Sequence, residues 1–121
     1  MPASPSNSNT HCIFCKIAAG QSPATIIYQD DQIVAFEDLN PQAPTHVLVI
    51  PRKHFASLDD ATPEEGAVIG QMHLVAAKIA ADRKITSGYR TVLNNGRGAG
   101  QSVFHLHLHV LGGRPMRWPP G

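Results

Sequence analysis

The stretch that decides the fold is Val103-Phe104-His105-Leu106-His107-Leu108-His109-Val110-Leu111, in which histidine and aliphatic residues alternate from His105 onward. Successive side chains of a strand point to opposite faces. Read as a strand, the segment puts His105, His107 and His109 on one face and Leu106, Leu108 and Val110 on the other. The aliphatic face is the core side and pins the register, because a slip of one residue would exchange the two faces. Three imidazoles then stand at intervals of roughly 6.5 to 7 Å along the strand. One or two such histidines would read as a polar, exposed face. Three in strict alternation point to chemistry: a metal-binding cluster, or an imidazole that attacks phosphorus. The preceding loop, Asn95-Gly96-Arg97-Gly98-Ala99-Gly100-Gln101-Ser102, favours the second. Its glycines leave backbone N–H groups able to approach a phosphate closely.

Working outward, Tyr89-Arg90-Thr91-Val92-Leu93-Asn94 reads as the strand before that loop. Upstream, Thr62-Pro63-Glu64-Glu65 carries an N-cap threonine, a first-turn proline and a capping-box glutamate. The helix that follows is expected to reach about Arg83. Val68, Ile69, Met72, Val75, Ala76, Ile79 and Ala80 form its apolar stripe. His46-Val47-Leu48-Val49-Ile50-Pro51 is a continuous apolar strand, expected to be buried on both faces. Before it, Leu39-Asn40-Pro41-Gln42-Ala43-Pro44-Thr45 is a proline-rich loop. Residues 25–29 and 33–38 form a hairpin around Asp30 and Asp31. Cys12 to Ala19 has helical spacing, with Gly20 as its stop. The order implies an α+β fold, an antiparallel sheet interrupted by one long helix, with a short helix at the N-terminal side.

The whole chain has 121 residues, enough for one domain with a real core and too few for two. Its 42% hydrophobic and 16% charged residues give a globular balance. Ten Lys and Arg against nine Asp and Glu leave +1, which argues against a broad nucleic-acid surface. No apolar run approaches the roughly 18 residues of a membrane span. Residues 1–10, MPASPSNSNT, have neither a basic start nor an apolar stretch. They read as a disordered tail ahead of a domain over 11–121, and the expected compartment is the cytosol. Cys12 and Cys15 are the only cysteines, spaced C-x-x-C. That spacing offers half of a tetrahedral zinc site, a pair of reduced thiols or a redox pair.

The chain resembles the histidine-triad (HIT) family. His105-Leu106-His107-Leu108-His109-Val110-Leu111 is similar to that family's signature, and Gly100-Gln101-Ser102, Asn94 and the stretch from Asp38 through Pro41-Gln42-Ala43-Pro44-Thr45-His46 also match. The ending Trp118-Pro119-Pro120-Gly121 looks like the Hint branch. The resemblance covers Cys12 to Gly121. It implies the HIT fold, with about five antiparallel strands and sheets paired in a two-fold dimer. It also implies a purine nucleoside phosphoramidase acting on AMP or GMP phosphoramidates and on acyl or lysyl adenylates. His107 would attack the α-phosphorus to give a nucleotidyl-histidine, and water would release the monophosphate.

Residue by residue, the resemblance implies that His109 and Gln101 hold phosphate oxygens, with Asn94 and Gly100 beside them. Ser102 would meet the phosphate or leaving group, and His46 would orient His107 or relay a proton. Asp38 would accept ribose hydroxyls, while Ile13, Phe14, Ile17, Phe36, Leu39 and Leu48 wall the base pocket. As residues alone, those apolar positions read equally as core. The zinc-carrying pattern implies Cys12, Cys15, His54 and His105 as structural ligands, with no metal required for catalysis. The Met72-Val75-Ala76-Ile79 stripe would suit a dimer contact or burial within one chain. Arg117 and Trp118 would reach the partner's site and tune leaving-group choice. Two other readings stay open: a nucleotide-binding regulator with little chemistry, and three histidines joined in one catalytic metal centre.

Overall fold

Asp30 turns the first hairpin: its Oδ1 accepts the backbone N–H groups of Gln32 and Ile33, both at 2.8 Å. An Asx turn of this kind fixes the reversal locally. The strands it joins are β1, Ile26–Gln29, and β2, Ile33–Glu37. This computed structural model describes residues 11–121, so the tail expected over 1–10 lies outside the described residues.

Helix α1, Ile13–Ala18, precedes the hairpin, and β3, Thr45–Pro51, follows it. Then come the long helix α2, Gly66–Asp82, and strands β4, Tyr89–Val92, and β5, Leu108–Gly112. All five strands form one antiparallel sheet in the order β1-β2-β3-β5-β4. The α+β expectation and the five-strand HIT architecture hold. The capping box of Thr62 and Glu65 is present and closes a 3-10 turn, Pro63–Glu65, that leads into α2. Glu65 also meets Lys53 at 2.7 Å, tying the start of α2 to the end of β3.

The sheet has two different faces. Ile33, Ala35, Val47, Val49, Leu108 and Val110 pack against Met72, Val75, Ala76 and Ile79 of α2. The α2 stripe is therefore buried inside this chain. On the opposite face, Val34, Phe36, Leu48 and Ile50 pack against Phe14, with Ile17 beside them. Covered from both sides, all seven residues of β3 are buried, as a continuous apolar strand requires.

One expectation changes. The final strand starts at Leu108 rather than Val103, so His105 and His107 lie outside the ladder. The chain there turns to other partners. Leu106 N–H donates to Phe55 O at 2.8 Å, and His105 O accepts the ring N–H of His107 at 2.7 Å. The segment before Leu108 thus makes local bonds in place of ladder pairs. The alternation still sorts the side chains correctly, since Leu106, Leu108 and Val110 all enter the α2-side core.

Candidate active site

A cross-strand row builds the floor of the site. Phe36 lies opposite Leu48, and Leu48 lies opposite His109, so three adjacent strands present three side chains on the face away from α2. Helix α1 roofs this row. Phe14 stands edge-on to Phe36 at 5.4 Å between ring centroids and edge-on to His107 at 5.0 Å. Between roof and floor lies a cavity of about 310 Å³. It is lined by Ile13, Phe14, Ile17, Phe36, Asp38, Leu39, Leu48, Ser102, His107 and His109, all expected from the sequence. Leu39 stands at its mouth, 95% exposed. Pro23, Ala24, Glu37 and Val103 also line it, and no chemical pattern in the sequence marked them.

Five expected residues are absent from that lining: Asn94, Gly100 and Gln101 of the phosphate loop region, and the histidines His46 and His105. Gln101 is buried and ties the loop together. Its Nε2 donates to Ala56 O at 2.6 Å and Val103 O at 3.1 Å, while its Oε1 accepts Gly96 N–H at 2.8 Å. The glycine loop also closes on itself. Ala99, Gly100 and Gln101 N–H groups bond to carbonyls of Gly96 and Arg97, through a 3-10 turn that ends on Gly100 at φ +95°. Those three donors are thus occupied inside the loop, which left-handed glycines permit.

Hydrogen bonds assign the protons on the triad rings. His107 Nδ1 donates to His105 O at 2.7 Å, which leaves Nε2 with its lone pair. Burial pushes the pKa of His107 below the ordinary histidine value of 6.5, so the ring is neutral near pH 7. His46 contacts His109 rather than His107, with His46 Nε2 and His109 Nδ1 separated by 2.9 Å. Gln42 N–H donates to His46 Nδ1 at 3.0 Å, so neutral His46 carries its proton on Nε2. That proton meets His109 Nδ1, with Asp38 Oδ2 at 3.3 Å. His109 therefore keeps its own proton on Nε2. Burial, with His107 and His46 close by, lowers its pKa to about 4.

His105 faces elsewhere. Its Nε2 donates to Pro51 O at 2.7 Å, leaving the Nδ1 lone pair directed at Cys12, Cys15 and His54. Cys12 Sγ is 3.4 Å and Cys15 Sγ 3.5 Å from His105 Nδ1. His54 Nδ1 is 3.3 Å from Cys15 Sγ and 3.2 Å from His105 Nδ1. Zinc bonds of about 2.3 Å to sulfur and about 2.0 to 2.1 Å to nitrogen, arranged tetrahedrally, place sulfur about 3.5 Å and nitrogen about 3.3 Å from another nitrogen. These four separations match those values, and all four donor atoms lie within 4.8 Å of one another. Burial lowers the His105 pKa to about 4 and lowers that of His54, so both rings are neutral, as metal ligands must be. Cys12 also caps α1, its Sγ accepting Cys15 N–H at 3.4 Å.

The three triad histidines thus turn to three different sets of partners, which does not build one shared metal centre. Asp38, His46 and His109 do place ligand atoms within 4.8 Å of one another. However, Gln42 N–H occupies His46 Nδ1, so metallation at His46 Nε2 would require an imidazolate. The arrangement is a hydrogen-bonded chain.

Comparison with known proteins agrees with this geometry. The family model described as "Scavenger mRNA decapping enzyme C-term binding" matches residues 11–118. A HIT-like protein of Synechocystis is 55% identical over 109 residues, covering 90% of this chain and 96% of that protein. A HIT family hydrolase from Legionella pneumophila superposes with a TM-score of 0.89 at 47% identity, covering 92% of this chain and all of that one. A zinc-bound histidine triad family protein from Mycobacterium smegmatis superposes with a TM-score of 0.76 at 36% identity, over 86% of this chain and 76% of that one. With its fold, its three histidines and these relatives in agreement, the chain belongs to the histidine-triad family.

Proposed function

We propose that this chain is a purine nucleoside phosphoramidase of the Hint branch. In this reading it hydrolyses the P–N bonds of AMP or GMP phosphoramidates, and also acyl and lysyl adenylates. The hydrolase class is supported by the Legionella relative, which is named a hydrolase. The carrying observation is the His107 ring: Nδ1–H is bound to His105 O, and Nε2 is left with a lone pair in a ring that lines the cavity.

The base enters between Phe14, Ile17, Phe36 and Leu48, and Asp38 lies where ribose hydroxyls would reach it. His107 Nε2 attacks the α-phosphorus, and the P–N bond breaks as the new N–P bond forms. The amine departs with a proton, for which the Ser102 hydroxyl is the neighbouring donor. His109 Nε2–H faces developing charge on phosphate oxygen, an electrostatic contribution that positioning alone makes effective. Water then attacks the phosphorus and the His107 Nε2–P bond breaks. One water proton restores the Ser102 hydroxyl, the water oxygen stays on the released nucleoside monophosphate, and the ring returns to its neutral starting state. A neutral buried imidazole suits this role near pH 7.

Zinc held by Cys12, Cys15, His54 and His105 would be structural. With four protein ligands it leaves no open coordination position, and it would fasten α1 to the sheet. The zinc-bound Mycobacterium relative supports this assignment. We further read the enzyme as a homodimer with a purine nucleotide as its small-molecule partner. Since the apolar stripe of α2 is buried within the chain, the dimer contact would use other surfaces.

Intact-protein mass spectrometry after mixing with adenosine phosphoramidate tests the reading. A transient nucleotidyl adduct and AMP release are expected from the native protein and neither from His107→Ala. Undiminished turnover in His107→Ala would refute it, and nucleotide binding with no turnover would favour a regulator.

A further inference from the structure

We propose that Gln42 and Arg114 are positioning residues that set the tautomer of His46 and thereby the proton on His109. The inference rests on the hydrolase reading for its kinetic consequence, but its structural content stands apart from it.

Two arrangements of the His46–His109 pair are possible in principle. In one, His46 Nε2–H donates to His109 Nδ1, and His109 keeps its proton on Nε2. In the other, His109 Nδ1–H donates to His46 Nε2, and His109 Nε2 holds a lone pair. Only the first offers a donor to a phosphate from the nitrogen of His109 that His46 does not engage. The second would set a lone pair against phosphate oxygen and another against Asp38 Oδ2, which lies 3.3 Å from His46 Nε2. What selects the first is one backbone donor, Gln42 N–H, at 3.0 Å from His46 Nδ1. A ring nitrogen that accepts this bond cannot also carry the proton.

Gln42 is itself held from two further sides. Its Nε2 donates to Asn40 O at 3.0 Å, and Asn40 N–H donates to Asp38 Oδ1 at 2.8 Å. Its carbonyl accepts Arg114 Nε–H at 3.0 Å. Arg114 comes from the segment after β5, 72 residues away in sequence. Gly113 lets that segment approach. It has φ +90°, and a Cβ there would stand 2.9 Å from Pro44 Cβ. The C-terminal segment therefore grips the 39–44 loop, the loop presents Gln42 N–H, and that donor decides where the catalytic-site protons sit.

Long-range 1H–15N spectra of the histidine rings in the full chain, which separate Nδ1–H from Nε2–H tautomers, test this directly. The native protein should show His46 and His109 both as Nε2–H. Gln42→Pro removes the backbone donor, and Arg114→Ala removes its outer support; each should shift His46 towards Nδ1–H. Turnover of adenosine phosphoramidate should fall about tenfold or more in kcat with KM little changed, in the range of general acid–base effects. Arg114→Lys, which retains a donor, should recover part of the loss. If Gln42→Pro fails to fold, Arg114→Ala carries the test. Native His46 protonated at Nδ1, or native tautomers in Arg114→Ala, would overturn the proposal. A native enzyme without turnover would remove the hydrolase reading and leave the tautomer result intact.

Discussion

Phe14 stands perpendicular to His107, with ring centroids 5.0 Å apart and planes at 85°. One side chain of a six-residue helix thus touches the proposed nucleophile, while Cys12 and Cys15 at the same helix enter the Cys2His2 cluster. The Cys2His2 cluster and the cavity share a wall.

Removing that wall should be felt twice. Phe14→Ala is expected to destabilise the fold by about 3 kcal/mol, the usual cost of emptying a buried aromatic site, and to raise KM for the nucleotide. Phe14→Leu should recover most of the stability but less of the binding, because it fills space without an edge for the imidazole. Urea denaturation and steady-state kinetics on both variants separate the two effects.

Metal loss should act through α1. A helix of six residues does not hold itself together in water, so its place depends on what anchors it. Chelator treatment, or Cys15→Ser, should lower Tm by about 5 °C or more and raise KM more than it lowers kcat. Zinc content by elemental analysis alongside calorimetry checks this. An unchanged Tm with zinc removed would mean that the apolar contacts of Phe14 alone seat the helix.

Acid sensitivity follows from His109. Its folded pKa, about 4, lies below the ordinary 6.5. Between these values the unfolded chain binds the proton and the folded one does not. The stabilisation is therefore full above pH 6.5 and disappears as pH falls through 4. Unfolding free energy should decline across that window, and His109→Gln should show a shallower slope. Equal slopes would mean that the native ring is already protonated.

The start of α2 offers a test away from the site. Thr62→Ala removes one half of the capping box and should cost about 1 kcal/mol. Glu65, held by Lys53 and Thr62, has its carboxyl pKa lowered to about 2. A depressed carboxyl stabilises above its unfolded value of 4.5 and ceases to do so as pH falls through 2. Glu65→Gln should therefore be less stable than the native chain at pH 7 and converge with it near pH 2. Chemical denaturation at several pH values would show either outcome.

Much of this was legible in the chain because single elements carry strong periodic or capping signals. The aliphatic run of β3, the Thr62–Glu65 start and the leucine side of the histidine segment each declare their place. The structure also brings Cys12, Cys15, His54 and His105 together, and ten residues that the resemblance named line one cavity. What escaped depends on competition among hydrogen bonds. Alternation alone extends the last strand back to Val103, but the ladder begins at Leu108, and before it Leu106 N–H bonds to Phe55 O and His107 to His105 O. Glycine content suggests open N–H groups, yet the 96–101 loop bonds three of them internally. Gln101 looks like a phosphate ligand by position, and Ala56 O and Val103 O claim its amide. Arg114 carries no local sign of its reach to Gln42, because that bond exists only once Gly113 meets Pro44.

The last residue of β3 has a consequence for how the cluster assembles. Pro51 brings no N–H of its own, but its carbonyl is present and takes the His105 proton at 2.7 Å. The choice between the two ring nitrogens, and the swing of the imidazole about its bonds, is thereby settled when the sheet forms. The zinc proposed above would meet a ring already turned, with its lone pair already on Nδ1. The freedom that a flexible ligand would surrender on binding has been given up in the fold itself, so the proposed zinc would be held more tightly than by a freely rotating histidine.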